Sequence, residues 1–145
     1  MATYTCTIRT NYFRVTDEDQ YQKLAKSLWG EERIQLFTKK LDDGTILHGF
    51  GSYCNIEYLP ADANTDEDDD ELCDIEEFYK ELQKILPDNE VFVLEEVGNE
   101  KLRYVGAYAT IVTNKEIRHI GFNRQIETLA KELSHHPDYV LNIEY

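Results

Sequence analysis

Cysteine is scarce and unpaired in this sequence. Cys6, Cys54 and Cys73 are odd in number, widely spaced and form no Cys-x-x-Cys pair, so no disulfide framework is expected and free thiols in a reducing compartment are the simpler reading. Long apolar runs are missing as well. Nothing approaches the roughly 20 apolar residues of a membrane-spanning helix. The opening Met1-Ala2-Thr3-Tyr4-Thr5 has neither the basic nor the apolar region of a signal peptide, so the expected location is cytoplasmic.

Legible chemistry is equally sparse. His48-Gly49-Phe50-Gly51-Ser52 holds a Gly-x-Gly, but it follows a hairpin signal instead of opening a helix, and no third glycine or Lys-Ser/Thr follows. Neither a dinucleotide fingerprint nor a phosphate loop fits; glycines easing a strand bend do. His48, His119, His135 and His136 lie at no metal spacing with one another or with the cysteines. Ser27, Ser52 and Ser134 sit in no nucleophile-elbow context. The expectation is a protein that is not an enzyme, with no catalytic residue, metal or cofactor to name.

What the sequence has is acid, and acid in one place. Across 145 residues the net charge is −14. Residues 1–58 carry 8 acids and 7 bases, residues 59–100 carry 16 acids and 2 bases, and residues 101–145 carry 5 acids and 6 bases. Such a field repels phosphate backbones and anionic lipid and attracts basic protein surfaces. Direct nucleic-acid or membrane binding is therefore disfavoured.

The apolar pattern predicts one α+β domain over residues 1–145, a mostly antiparallel sheet with three amphipathic helices packed on it. Thr3–Val15 alternates as a first strand, with Tyr4, Cys6, Ile8 and Tyr12 on one face. Thr16 is the expected N-cap of a helix whose stripe Tyr21, Leu24, Ala25, Leu28 and Trp29 runs to Gly30. Arg33–Lys40 and Thr45–Ser52 flank the hairpin signal Asp42-Asp43-Gly44, and Asn55–Leu59 follows. A second helix is expected over Asp74–Leu86, stopped by Pro87. Strands over Glu90–Val97 and Leu102–Thr113 join across Gly98–Lys101, and a short strand covers Ile117–Phe122. Asn123 is the expected cap of a third helix that buries Ile126, Leu129, Ala130 and Leu133, and Tyr139–Tyr145 the expected last strand. Gln20–Leu28 reads like Gln125–Leu133, and the Phe78–Leu86 helix with the Val91–Leu94 strand like a third copy; repeated units on one sheet would give this likeness, and so would a shared helical period alone.

Residues 60–73 form an acidic loop expected to be mobile, since Pro60–Glu71 has no periodicity and only Ala61 and Ala63 as apolar residues. Asp62, Asn64, Asp66, Asp68 and Asp70 alternate as calcium ligands would. Glu67 stands where an EF-hand needs glycine, however, and Cys73 where it needs glutamate. The bland reading is a solvated run that aids solubility. The sharper one is a phosphate-like surface built from Asp66, Glu67, Asp68, Asp69, Asp70 and Glu71 with Asp74, Glu77 and Glu81, the last three at i, i+3 and i+7 of the second helix.

Thr10-Asn11-Tyr12-Phe13-Arg14-Val15, running into an acidic helix start, and Gly98-Asn99-Glu100-Lys101-Leu102-Arg103-Tyr104 resemble stretches of small acidic, largely uncharacterised proteins of phages and conjugative elements of Gram-positive bacteria. The resemblance implies an anti-defence context and carries over no functional residue. Together with the charge, it leads to the expected partner: a basic, nucleic-acid-binding defence protein, inhibited in anti-CRISPR or anti-restriction fashion by a DNA mimic occupying its basic channel. An antitoxin-like or regulatory partner of a basic protein is the alternative. A further one is an enzyme or small-ligand binder whose site assembles only in space.

Overall fold

The alternating first stretch becomes the middle of the sheet. A computed structural model of the chain describes residues 4–59, 74–102 and 104–141. Strand β1 (Thr5–Thr10) buries Cys6, Ile8 and Thr10 and exposes Thr5, Thr7 and Arg9. After it come α1 (Glu18–Lys26), β2 (Leu28–Trp29), β3 (Gln35–Lys40), β4 (Ile46–Ser52) and β5 (Glu57–Tyr58). The second half is α2 (Ile75–Gln83), β6 (Phe92–Glu100), β7 (Tyr104–Val112), β8 (Ile117–Gly121) and α3 (Phe122–Ser134). Six strands pair in the order β3-β4-β1-β6-β7-β8, and β2 with β5 forms a separate short ladder. Every pairing is antiparallel. The α+β class and the antiparallel sheet are as the sequence pattern predicts.

One face of the sheet carries the core. Tyr21, Leu24 and Ala25 of α1 and Phe78, Tyr79 and Leu82 of α2 are buried against Ile8, Phe50, Phe92, Leu94 and Val112 of the strands. Phe13, Phe50, Phe78 and Phe92 are wholly enclosed and meet edge-on or tilted, with Phe13 and Phe92 5.0 Å apart and Phe50 and Phe78 5.9 Å apart. Aromatic pairs in such orientations add about 0.5–1.5 kcal/mol beyond the area they bury. His48 belongs to this layer: it is buried beside Tyr21, and its Nε2 is 2.7 Å from Glu18 Oε2. A carboxylate only accepts, so Nε2 carries the proton.

Burial holds several acidic groups in their neutral forms. It pushes the Cys6 thiol up to about 11 and the Tyr79 hydroxyl up to about 12, and it raises Tyr21 as well. A group whose folded pKa is raised contributes stability that is whole below its unfolded pKa and is lost as pH climbs through the folded value. Stability should thus hold to about pH 9 and fall between about pH 9 and 12. An alkaline titration followed at the tyrosinate absorbance should show Tyr21 and Tyr79 ionising only together with loss of far-ultraviolet ellipticity. Ionisation of all ten tyrosines as free phenols, before unfolding, would contradict this burial.

The boundaries depart from expectation where a side chain competes with the ladder. β1 ends at Thr10 because Thr10 Oγ1 accepts the Phe50 N–H, and the Asn11 side chain donates to Val91 O and accepts from Val93 N–H. Phe13, not Tyr12, then turns inward, and Tyr12 is exposed. Asp17 caps α1 in place of Thr16, whose N–H and hydroxyl both go to Ile85 O. Leu28 and Trp29 leave the helix to pair with Tyr58 and Glu57. β6 runs on to Glu100, with Gly98 paired to Gly106, so the turn falls later than Gly98–Lys101. Of the expected last strand, Tyr139–Leu141 is not extended ladder, and the rest lies outside the described residues.

Candidate functional site

The proposed partner surface divides between residues inside and outside the described structure. Asp66, Glu67, Asp68, Asp69, Asp70 and Glu71, and with them the expected mobility of the loop, lie outside it. Asp74 is exposed and caps α2, its Oδ1 accepting the Glu76 N–H at 3.2 Å. A carboxylate here also complements the positive end of the helix dipole. Glu77 and Glu81 follow on the outer side, yet each has a lysine one turn on: Lys80 Nζ at 3.4 Å from Glu77 and Lys84 Nζ at 2.8 Å from Glu81. Glu81 is half-buried. The row of three is present, with two of its members already facing a cation. Exposed pairs at this spacing are weak, about 0.3–0.5 kcal/mol, and a more strongly basic partner would readily displace them.

A second place, which sequence reasoning missed, lies at the β7–β8 side of the molecule. A cleft of about 940 Å³ is lined by Tyr104, Tyr108, Thr110 and His119 of the strands and by Arg124 and Glu127 of α3. Gly106 makes room for the rings. A Cβ there would stand 3.0 Å from both the Tyr104 hydroxyl and the Tyr108 ring, and one at Gly98 would overlap Tyr4. Tyr4 packs edge-on against Tyr104 at 5.9 Å and donates its hydroxyl to Glu96 Oε2 at 2.9 Å. Burial is the larger cause, and the Glu96 hydrogen bond the next, of a raised Tyr4 pKa. The signal in the sequence was Tyr104-x-Gly106-x-Tyr108, which on a strand puts two aromatics and a bare backbone on one face.

At the α2 end of this cleft three polar groups align. His119 Nε2 is 2.6 Å from Glu76 Oε1, and His119 Nδ1 is 2.9 Å from Thr110 Oγ1. The carboxylate accepts a hydrogen bond from Nε2–H, so in the neutral ring Nδ1 accepts from the threonine hydroxyl. Hydroxyl, imidazole and carboxylate stand in the order that general-base catalysis uses, although side-chain exposures of 51% for His119 and 37% for Glu76 leave the line open to water. On the α3 wall, Glu127 accepts the Leu141 N–H, and this bond is the first cause that lowers its carboxyl pKa. Among the described residues no group of three or more histidine, cysteine or acidic side chains is placed to hold a metal ion, and no helix is long and apolar enough to cross a membrane. No protein-family model matches the chain, and no curated protein or solved structure matches it either.

Proposed function

We propose that the protein binds and inhibits a basic, nucleic-acid-handling partner through its acidic segment, residues 59–81, in the manner of a DNA mimic. The observation that carries this reading is charge segregation. Sixteen of 29 acids fall in residues 59–100 with only 2 bases, while the remainder of the chain is near neutral. A solubility device would work as well with its charge spread over the surface. Concentrated charge steers and selects an oppositely charged face. The resemblance to mobile-element proteins supports a partner among host defence proteins such as restriction or CRISPR effectors.

The test is competitive capture. The full chain, immobilised, should retain proteins from a bacterial lysate at low salt and release them to added duplex DNA. Affinity for the captured partner should drop by two decades or more between about 50 and 200 mM salt, as for proteins that neutralise several phosphates. Retention that is indifferent to both DNA and salt would instead favour the antitoxin-like or regulatory reading.

A second reading has its own observation, the Thr110–His119–Glu76 line at the mouth of a large cleft. It supports a small-ligand binder or an enzyme assembled in space. A metabolite that raises the melting temperature of the wild type, but not of His119→Ala, would move the function to the cleft.

A further inference from the structure

Helix α3 does not turn its apolar side to its own sheet. At 3.6 residues per turn, Asn123, Ile126, Glu127, Ala130 and Lys131 share one side, and these are its half-buried positions. Phe122, Ile126, Leu129 and Leu133 form a stripe centred about a quarter turn away. Phe122 is 56% exposed, Leu129 53% and Leu133 73%, and no residue of the helix is fully buried. The expected burial of Ile126, Leu129, Ala130 and Leu133 is thus met only in part, by Ile126 and Ala130. Amphipathic helices of globular proteins put such a stripe against something.

We propose that the stripe is the contact surface of a symmetric dimer, in which α3 packs antiparallel on α3 of a second copy. Three features favour that occupant. The first is that the stripe is palindromic. Across a two-fold axis between positions 127 and 128, Phe122 falls opposite Leu133 and Ile126 opposite Leu129 of the other copy. A two-fold interface demands this reciprocity, residue i meeting j and j meeting i. The solvent-side flank carries Gln125, Thr128 and Glu132, so the one carboxylate along the seam meets an amide instead of a like charge.

The second feature is charge. A second copy brings its own −14, which keeps two acidic segments apart. Residues 101–145 hold 5 acids and 6 bases, and α3 itself balances Glu127 and Glu132 with Arg124 and Lys131. This is a surface on which like can meet like without electrostatic cost. The third is area. At roughly 150–200 Å² for each large side chain, the exposed parts of the stripe give about 300–400 Å² of apolar surface per copy. A standard interface of about 800 Å² per partner, a little over half of it apolar, needs an apolar centre of that order.

The experiment is sedimentation equilibrium of the full chain from about 1 to 100 µM, a range in which a dimer of micromolar dissociation constant goes from partial to full assembly. The expected result is twice the 17.0 kDa chain mass at the upper end, and 17.0 kDa throughout for Leu129→Glu/Leu133→Glu with an unchanged circular dichroism spectrum. Should the double variant misfold, Leu133→Glu alone, at the most exposed position of the stripe, must weaken association by tenfold or more. A wild type that stays monomeric at 100 µM, whether residues 142–145 or a different protein covers the stripe, overturns the proposal, as does a variant that remains dimeric. Loss of the dimer with undiminished DNA-sensitive capture would separate this interface from the acidic segment.

Discussion

Phe92→Ala should lower the unfolding free energy by about 3–5 kcal/mol, the range for truncating an enclosed aromatic. Phe92 is wholly buried, and four rings surround it: Phe13 at 5.0 Å, Phe50 at 6.0 Å, Tyr79 at 6.2 Å and Phe78 at 6.4 Å. Those neighbours come from a loop, a strand and a helix, so they cannot close on the cavity without moving three elements together. A domain of this size has about 5–15 kcal/mol in total, so the loss is a large fraction of the whole. In urea, with a slope of about 1–3 kcal/mol/M, the midpoint should fall by about 1 M or more. Val91→Ala, one residue back and 39% exposed, should cost under about 1 kcal/mol. A Phe92→Ala loss no larger than that of Val91→Ala would show that the rings do not act as one cluster.

Changing Asp66, Asp68, Asp69 and Asp70 together to asparagine should weaken partner binding by a hundredfold or more. The substitutions remove four charges at nearly constant volume. Even about 1 kcal/mol per lost pair, below the range measured for close interfacial charges, multiplies to roughly a thousandfold. If these four are solvated, as the composition of the stretch predicts, they contribute only about 0–1 kcal/mol each to folding, so the melting temperature should change little; it serves as the control. Single changes at Glu77 or Glu81 should have smaller effects, since Lys80 and Lys84 already offset those charges within the free protein. Tyr53→Ala tests an aromatic-centred interface, because Tyr53 is 69% exposed. Tyr58 cannot serve in that role: at 6% exposure beside Phe78 it belongs to the core. A quadruple variant that binds at full strength while Tyr53→Ala abolishes binding would end the mimic reading.

Period and turn chemistry made most of the architecture legible. The alternation through Cys6 and Ile8, the Asp43-Gly44 hairpin with Gly44 at φ 90°, and the stripe ending at Pro87 each placed an element. Boundaries were lost where a polar side chain substitutes for a backbone partner, as at Thr10, Asn11 and Thr16. Asn123, expected to cap, instead donates to Val105 O inside the first turn of a helix capped by Gly121 without a side-chain bond. The cleft was illegible for a different reason. Thr110 and His119 meet only through the β7–β8 register, and Glu76, distant in sequence, reaches them only from α2.

The place of β1 bears on how the chain is made. Its ladder with β6 joins Thr5 to Asn99 and Thr10 to Leu94, while its other edge meets β4 at Ser52. As synthesis proceeds, β1, β3 and β4 can assemble first, and until residues 92–100 emerge the edge of β1 that meets β6 stays unpaired. Contacts of such long separation slow folding and leave strand edges exposed meanwhile. The intervening stretch that the ribosome must deliver before the sheet can close is largely the acidic one, and a nascent chain of growing negative charge resists pairing with its neighbours on the same polysome. The charge that is proposed to serve the finished protein would thus also guard it during its slowest step.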